Sequence, residues 1–504
     1  MCGIIGSFPL SEPSWVEAGL IKIRHRGPDA RRWENTPYGC LGHARLAILD
    51  VAQGHQPMRE GDRWIVFNGE IYNYQELQKQ LAGPFHTNSD TEVILKLYAE
   101  KGSACVTELD GMFAFAILDD QGLFLARDPI GIKPLYYAEV AETLYFASEI
   151  KALLPFSREI HEFPPGTTWH SKTGFQPFFS FKDYQSQTEN KEQGEFQPSD
   201  LGVLRKKLFD AVNKRLIADV GVPVGISLSG GLDSSIIAAL ARTAKERVDT
   251  FAVGMAGSQD LEASEQMARF LDTHHHTYTY TFEDMLAVLP EVIYYLESFD
   301  APLIRSAIPN FFLARLASDY VKVILTGEGA DELFAGYEYL RDFPDTRSVH
   351  QEQWEITNNL HHTNLQRTDR MTMAHGIEGR VPFLDKSMIE MAFRMPTQWM
   401  APKPGFPEKY MLRRAFEDRL PDEITWRPKQ KFSQGTGSAN LLAVYANEQI
   451  SNAEWNAERA EAGDFDLRSK EELLYYRIFR NLYGEQIPLR VVGRTRSVTR
   501  AELM

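Results

Sequence analysis

A seven-residue loop, SGGLDSS at positions 229–235, constrains the fold of this chain more than any other feature. It follows the apolar run VPVGISL, which has the length of a buried strand, and it opens a stretch with helical periodicity. Two glycines permit a tight turn, and the free amide groups of a helix N-terminus attract anions. The loop therefore predicts a phosphate-binding site, with an ordinary strand–turn–helix corner as the alternative. Its spacing is neither that of a Walker A loop nor G-x-G-x-x-G.

A second loop, TGEGADE at positions 326–332, also follows an apolar run and precedes a predicted helix, ELFAGYEYL. The two loops are expected to meet over one crevice, because loops at the carboxyl ends of parallel strands lie on the same edge of a sheet. Asp233 and Asp331 would then hold Mg²⁺ against the pyrophosphate oxygens of ATP. Helix capping is the alternative for the second loop. Lys429 or Lys431 could neutralise phosphate charge, although a lysine pair in a loop is often only solvated surface.

The remaining patterns suggest two regions in the 504 residues, since a single hydrophobic core stops growing at about 250–300 residues. From Cys2 to about Phe181 the runs IIGSF, CLGHARLAIL, RWIVFNGE, FAFAILD, LFLARD and TLYFAS predict strands. YQELQKQL and DTEVILKLYAEK predict helices, the second capped by Asp90 and Thr91. After the polar stretch 183–200, strand runs alternate with helical patterns, which predicts a parallel sheet. The final residues, VVGRTRSVTRAELM, are expected to fray.

Charge and composition disfavour several classes of binding partner. Its net charge of -15 disfavours nucleic acid, because such a surface repels phosphate backbones. No apolar run approaches the roughly 18–20 residues that span a bilayer, and the N-terminus does not have the pattern of a signal peptide. The three cysteines, Cys2, Cys40 and Cys105, are too few for a disulfide scaffold and favour a reducing compartment. We therefore expect a cytoplasmic enzyme with small-molecule substrates and no membrane partner.

A series of motifs then occurs in a fixed order between Cys2 and about Gly437: MCGI, RHRGPD, HARLAILD, NGEIYN, NSDTEVIL, LARDPIGIKPLYY, LSGGLDSS, GEGADELFAGY and HGIEGRVPFLDK. In this order they resemble the glutamine-dependent asparagine synthetases. The resemblance implies an α+β N-terminal-nucleophile (Ntn) hydrolase domain with an αββα sandwich at residues 2–182. A linker at 183–200 and an α/β PP-loop ATP-pyrophosphatase domain at 201–504, similar to the adenine nucleotide alpha hydrolases, would follow. Homodimers are common in the family.

By this resemblance Cys2 is the nucleophile that splits glutamine. Removal of Met1 would leave the α-amino group of Cys2, with a pKa of about 8, beside its own thiol as the base. Asn68 and Gly69 would supply the oxyanion donors, although Asn-Gly also strongly favours a hairpin turn. Cys40 and Cys105 are interpreted as buried structural residues.

The resemblance also indicates how glutamine is held. Arg45 would pair with the α-carboxylate, and Glu70 and Asp90 with the α-ammonium group. Arg24 and Arg26 would order the edge of the pocket. The residues expected to bind glutamine are Arg45, Leu46, Ala47, Ile48, Leu49, Asn68, Gly69, Glu70 and Asp90.

The second site would adenylate a carboxylate with Mg-ATP and pass the acyl group to ammonia. Glu328 would take the proton from attacking ammonia, and Arg305 and Tyr337 would bind the acceptor. The residues expected to bind ATP are Leu228, Ser229, Gly230, Gly231, Leu232, Asp233, Ser234, Ser235, Val253, Thr326, Gly327 and Lys429. Free ammonia is mostly protonated at neutral pH, so we expect an internal route from the glutaminase to the β-aspartyl-AMP intermediate.

One segment departs from the family pattern and concerns the acceptor. The usual Thr-Thr-Ile-Arg-Ala is PLIRS here, so Pro302 and Leu303 replace two hydroxyl side chains. Aspartate is the expected acceptor, and a cell-wall or natural-product acid is the alternative. A non-catalytic paralogue is disfavoured because Cys2, Asp233 and Asp331 are all present.

Overall fold

Three sheets organise the chain. The computed structural model of the protein describes residues 2–10, 12–181, 198–396, 399–400, 406–429, 432–461, 466–484 and 489–496. Within these ranges the N-terminal part holds two six-stranded antiparallel sheets, and the C-terminal part holds a five-stranded sheet. None of the helices seen there has the length and apolar character needed to cross a membrane.

The N-terminal sheets have the strand orders β10-β8-β9-β1-β3-β2 and β12-β11-β7-β6-β5-β4. Their strands are β1 Gly3–Phe8, β2 Ala30–Thr36, β3 Gly39–Arg45, β4 Met58–Glu60, β5 Arg63–Ile71, β6 Gly111–Asp119, β7 Gly122–Arg127, β8 Tyr136–Val140, β9 Thr143–Ala147, β10 Ile160–Glu162, β11 Thr167–His170 and β12 Gly174–Pro177. The helices are α1 Pro13–Lys22, α2 Tyr74–Gln80, α3 Asp90–Lys101 and α4 Ile150–Leu153, with 3₁₀ turns at Arg24–Arg26 and Gly102–Thr107.

Alternating side chains of β1 separate two hydrophobic cores. Ile4 shares the core between the two sheets with Val66, whereas Ile5 faces Trp15 of α1 on the outer side. On the opposite outer side, Ile94 of α3 packs against the second sheet. Successive residues of a strand point to opposite faces, so the layers run helix–sheet–sheet–helix. The predicted αββα sandwich is confirmed.

The C-terminal sheet is parallel and has the order β15-β14-β13-β16-β17. Its strands are β13 Val224–Ser227, β14 Asp249–Gly254, β15 His274–Thr279, β16 Val323–Leu325 and β17 Glu378–Arg380. The helices are α5 Pro198–Lys214, α6 Leu232–Ala244, α7 Gln259–Leu271, α8 Phe282–Leu296, α9 Ala301–Ser318, α10 Ala330–Leu333, α11 Thr346–Asn358, α12 Asn364–Met373, α13 Lys386–Arg394, α14 Tyr410–Phe416, α15 Asp422–Thr425, α16 Phe432–Gly435, α17 Leu441–Gln449, α18 Asn452–Glu461 and α19 Lys470–Tyr483. Short 3₁₀ turns lie at Glu338–Asp342, Leu360–His362, Pro382–Leu384 and Leu489–Val491.

Three local predictions need correction. The run CLGHARLAIL is a strand only to Arg45, after which the chain leaves the sheet. The stretch ELFAGYEYL is not one helix, because α10 ends at Leu333, Ala335 has a φ of 51°, and a separate 3₁₀ turn follows at Glu338–Asp342. Ser89, and not Asp90, caps α3 by accepting a hydrogen bond from the Thr91 amide.

The stretches at the linker and the C-terminus are partly described. Residues 182–197 lie outside the described ranges, and α5 begins at Pro198, inside the predicted linker. The prediction of a frayed tail is wrong for residues 491–496, which pack against the C-terminal domain. Ser298 donates a hydrogen bond to the Gly493 carbonyl (2.8 Å), and the Thr495 hydroxyl donates to Asp300 (3.0 Å).

Candidate functional site

Cys2 directly precedes β1 and is buried, and it lines a pocket together with Glu378 of the C-terminal domain. Its backbone nitrogen, which would become the α-amino group if Met1 were removed, donates to Asn68 Oδ1 (3.0 Å). Its carbonyl accepts a hydrogen bond from Arg26 Nε (3.0 Å). Burial raises the pKa of the Cys2 thiol, so attack as a thiolate requires a neighbouring base. The α-amino group is the base nearest in the chain.

The two expected oxyanion donors lie within a strand. Asn68 and Gly69 of β5 pair with Ala114 and Phe113 of β6, which rules out the hairpin alternative. Asn68 Nδ2 is buried and has no hydrogen-bond partner among the described residues. A Cβ at Gly69 would lie 2.0 Å from the Met112 carbonyl oxygen, so only glycine fits there. The arrangement leaves one amide donor beside Cys2 free for a developing oxyanion.

Arg45, Glu70 and Asp90 line one small pocket with Cys2. The Arg45 guanidinium is fixed by the carbonyls of Asp50 (2.7 Å) and Val51 (3.1 Å). The pocket has a volume of about 30 Å³, room for roughly one water, in the chain that still carries Met1.

The two acidic residues of this pocket have perturbed pKa values. Burial raises the pKa of Asp90 to about 6, although its Oδ2 accepts a hydrogen bond from the Ile71 amide (3.0 Å). Burial also raises the pKa of Glu70 well above its usual range, and Glu70 Oε1 has no hydrogen-bond partner within the described ranges. A bound ammonium group would favour the ionised form of both carboxyl groups.

Of the neighbours of Arg45, Leu46, Ile48 and Leu49 line the pocket. Ala47 does not; its amide donates to Asp29 Oδ2 (2.7 Å) and helps to fix the loop.

The C-terminal domain completes this pocket through β17. Glu378 lines it, and Arg380 donates to Glu378 Oε1 (2.6 Å) and Glu70 Oε2 (3.0 Å). Sequence reasoning missed both residues. They stand in the motif HGIEGR, but three residues with a central glycine give no strand signal and no indication of the domain they face.

The two predicted phosphate loops do meet, at a cleft of about 830 Å³ above the parallel sheet. A Cβ at Gly327 would lie 2.8 Å from the Asp233 Cβ, so the loops touch where glycine permits it. Gly230 adopts a φ of 69°, which allows the turn into α6. The predicted ATP residues that line the cleft are Ser229, Gly231, Leu232, Asp233, Ser234, Thr326, Gly327 and Lys429. Those that lie behind its surface are Leu228, Gly230, Ser235 and Val253.

Two lysines hold the acidic pair of the cleft together. Lys409 forms ion pairs with Asp233 and with Asp331 Oδ1 (2.6 Å), and Lys429 Nζ donates to Asp331 Oδ2 (2.6 Å). These ammonium groups lower the pKa of Asp331, whereas Asp233 Oδ1 has no hydrogen-bond partner among the described residues. The set is suited to Mg²⁺, which prefers carboxylate oxygens. Lys431 lies outside the described residues, and Lys409 was missed because a lone lysine in PEKYMLRR carries no pattern.

Glu328 lies beside Arg367 of α12, which donates to Glu328 Oε2 (2.5 Å) and to the Ser306 hydroxyl (3.0 Å). Arg367 lines the cleft, and its Nε has no hydrogen-bond partner in the part of the chain that the structure describes. Tyr337 also lines the cleft and donates through its hydroxyl to Glu332. Burial raises the pKa of Glu332 to about 7.

Arg305 does not reach this cleft. Its guanidinium is held by the carboxylate of Glu471 in α19, with Nε 2.8 Å from Oε1. The segment PLIRS forms the first turns of α9, and the helical spacing places Pro302, Leu303 and Ser306, but not Arg305, on the cleft wall. In this structure Arg305 is therefore directed away from the cleft, and Arg367 is one of four arginines that line it, with Arg413, Arg427 and Arg496.

Comparisons with known proteins agree with this architecture. A family model described as a glutamine amidotransferase domain matches residues 1–179, and one described as asparagine synthase matches residues 203–348 and 340–500. A probable glutamine-hydrolysing asparagine synthetase of Schizosaccharomyces pombe is 39% identical over 96% of this chain and 94% of its own length. Asparagine synthetase B of Escherichia coli (strain K12), also glutamine-hydrolysing, is 37% identical over 96% of this chain and 91% of its own length.

A solved structure of glutamine phosphoribosylpyrophosphate amidotransferase from B. subtilis shares 21% identity over 49% of this chain and 65% of its own. Its TM-score of 0.30 is too low to support an argument.

Fold and sites together define a two-domain amidotransferase, in which an Ntn-type glutaminase is joined to a nucleotide-using carbon–nitrogen ligase. The chain belongs to the family of glutamine-hydrolysing asparagine synthetases.

Proposed function

We propose that this chain makes asparagine and glutamate from aspartate, glutamine, ATP and water, and releases AMP and diphosphate. The observation that carries the proposal is that one segment reaches both sites. Arg367 of α12 contacts Glu328 in the nucleotide cleft, and Glu378 of β17 lines the pocket of Cys2. These contacts support the proposal that a single chain couples release of ammonia to its consumption.

In the first half-reaction the Cys2 thiol attacks the amide carbon of glutamine after its proton passes to the α-amino group. The Asn68 side-chain amide stabilises the oxyanion. Collapse of the tetrahedral species expels ammonia and leaves a thioester, and water then releases glutamate and restores the thiol.

In the second half-reaction a β-carboxylate oxygen of aspartate attacks the α-phosphorus of ATP and expels diphosphate. Asp233 and Asp331 would hold Mg²⁺, which supplies charge neutralisation on the phosphates. Lys429 would assist at the departing diphosphate. Ammonia attacks the resulting acyl-adenylate, Glu328 accepts its proton, and AMP leaves.

Arg367 is proposed to bind a carboxylate of the acceptor, in the role first expected of Arg305. Its planar guanidinium can form two parallel hydrogen bonds to a carboxylate. Pro302 and Leu303 give the neighbouring wall an apolar surface, which leaves a larger carboxylic acid as the second candidate acceptor.

An ATP–pyrophosphate exchange screen across carboxylic acids tests the acceptor. Aspartate should support exchange in the absence of any nitrogen source. Exchange with another acid but not with aspartate would overturn the proposal.

An internal route for ammonia is also proposed, and it has its own test. Isotope-labelled ammonium is added at low concentration alongside unlabelled glutamine, and the label should stay out of the product. Ready incorporation of the label would contradict the internal route. The homodimer and the cytoplasmic location stay predictions, and sedimentation would measure the first.

A further inference from the structure

A cluster of metal-ligating side chains lies at the contact between the two domains, and its members line neither the nucleotide cleft nor the pocket of Cys2. Glu162 ends β10 of the N-terminal domain, and His361 and His362 end the 3₁₀ turn Leu360–His362 of the C-terminal domain. One ligand atom from each of the three lies within 4.8 Å of the others, and no other such group occurs in the described ranges. None of the three has a role in the proposed reaction.

The two imidazoles converge on the two oxygens of one carboxylate. His361 Nδ1 lies 2.9 Å from Glu162 Oε1, and His362 Nε2 lies 3.0 Å from Glu162 Oε2. Ligand atoms bound at about 2.0 Å to a tetrahedral ion are about 3.3 Å apart, so a small outward movement would admit one. The partly exposed His362 ring leaves one side open, where water can supply a fourth ligand.

The surroundings hold Glu162 and His361 in place before any ion binds. Arg127 donates to Glu162 Oε1 (2.7 Å) and so holds the carboxylate in place. The guanidinium is itself fixed by hydrogen bonds to the carbonyls of Phe163 (2.6 Å) and Lys133 (2.7 Å). A Cβ at Gly131 would lie 2.9 Å from the His361 Cβ, so the backbone packs closely there. Outer partners of this kind orient ligands in established metal sites.

The carboxylate ligand has a positively charged neighbour, Arg127. Arg127 offsets the charge of Glu162, so the two imidazoles have to supply most of the affinity.

We propose that Glu162, His361 and His362 bind one divalent ion of borderline softness, Zn²⁺ being the best match, with water as the fourth ligand. Two imidazoles and one carboxylate form a ligand set that Zn²⁺ favours over Mg²⁺ or Ca²⁺. The site is independent of the acceptor and of the proposed reaction.

Its place in the fold gives the ion a structural role. α12 begins at Asn364, two residues after His362, and carries Arg367 and Asp369. An ion on Glu162 would therefore fasten the start of this helix to the N-terminal domain.

The test uses the full chain after removal of metal with a chelator. Zn²⁺ is titrated by calorimetry and Co²⁺ by visible absorption, where tetrahedral coordination gives intense bands. We expect one equivalent to bind wild type, and His362→Asn to weaken binding by at least about 100-fold, since even outer partners contribute 10–100-fold. Zn²⁺ should raise the unfolding temperature of wild type and leave that of H362N unchanged.

The chain offers a matched control, because His274, His275 and His276 form a second histidine cluster in β15. A variant with His274→Asn and His276→Asn should keep the binding. Equal binding by wild type and H362N, no binding by either, or loss of binding only in the β15 variant would each overturn the proposal. Circular dichroism of metal-free H362N checks its fold, and Glu162→Gln provides a second ligand variant if H362N does not fold.

Discussion

The guanidinium of Arg26 forms two hydrogen bonds, of 2.7 and 3.0 Å, with the carboxylate of Asp369 across the buried interface of the two domains. The same guanidinium donates through Nε to the carbonyl of Cys2. Asp369 stands two residues after Arg367, which contacts Glu328. Cys2, the proposed nucleophile, and Glu328 of the nucleotide cleft are therefore connected through Arg26 and α12.

Asp369→Asn should weaken this connection. The change removes one of the two buried carboxylates that pair with Arg26, the other being Glu149 (2.8 Å), and should cost at most about 3 kcal/mol of unfolding free energy. Glutamine-dependent synthesis should fall more than ammonia-dependent synthesis, because Arg26 positions Cys2. Denaturant unfolding and the ratio of the two activities measure this.

Lys322→Gln is the control for that variant. It removes an exposed pair between the domains, Lys322 with Asp29 (2.7 Å), which should contribute less than about 1 kcal/mol. An equal loss in both variants would contradict a specific role of Asp369.

Cys2→Ala should abolish glutamine-dependent synthesis and glutaminase activity and keep ammonia-dependent synthesis. The nucleophile is lost while the cleft is untouched. Cys105→Ala, which changes another buried free thiol, should keep both activities. Glutaminase turnover by the first variant would show that Cys2 is not the nucleophile.

Lys409→Met should suppress ATP–pyrophosphate exchange and leave glutaminase activity intact. Without Lys409, the carboxylates of Asp233 and Asp331 repel each other and lose the cation that aligns them. Lys386→Met, at an exposed position, should leave exchange unchanged. Normal exchange by the Lys409 variant would mean that the loops need no bridging cation.

Glu332→Gln should stabilise the protein increasingly as pH rises from about 5 to 8. The pKa of Glu332 is about 7 against an ordinary value of 4.5, so the folded state holds a proton that the unfolded state releases. This contribution is complete below pH 4.5 and is lost as pH rises through 7. Glutamine imitates the protonated form, so its advantage should reach on the order of 3 kcal/mol at pH 8.

Unfolding curves of wild type and E332Q at several pH values check this. Glu338→Gln, at a highly exposed side chain, should show no pH-dependent difference. A constant difference between wild type and E332Q would contradict the raised pKa.

The sequence alone determined the local features, such as strands, helices and loops, that depend on residues adjacent in the chain. Alternating apolar residues predicted most strands, and the helix at residues 90–101 was predicted with its observed bounds. The phosphate loop was predictable because its glycines, acid and hydroxyls are contiguous and follow an apolar strand.

Only the tertiary structure decided which distant residues share a site. Lys409 reaches the acidic pair, and Glu378 reaches the pocket of Cys2, from segments with no local signal. Arg305 was expected at the acceptor from its position in a motif, but its place on α9 directs it to Glu471, whereas Arg367 of α12 lines the cleft. Side-chain direction in a helix changes by about 100° per residue, so adjacency in sequence does not fix which residues face a ligand.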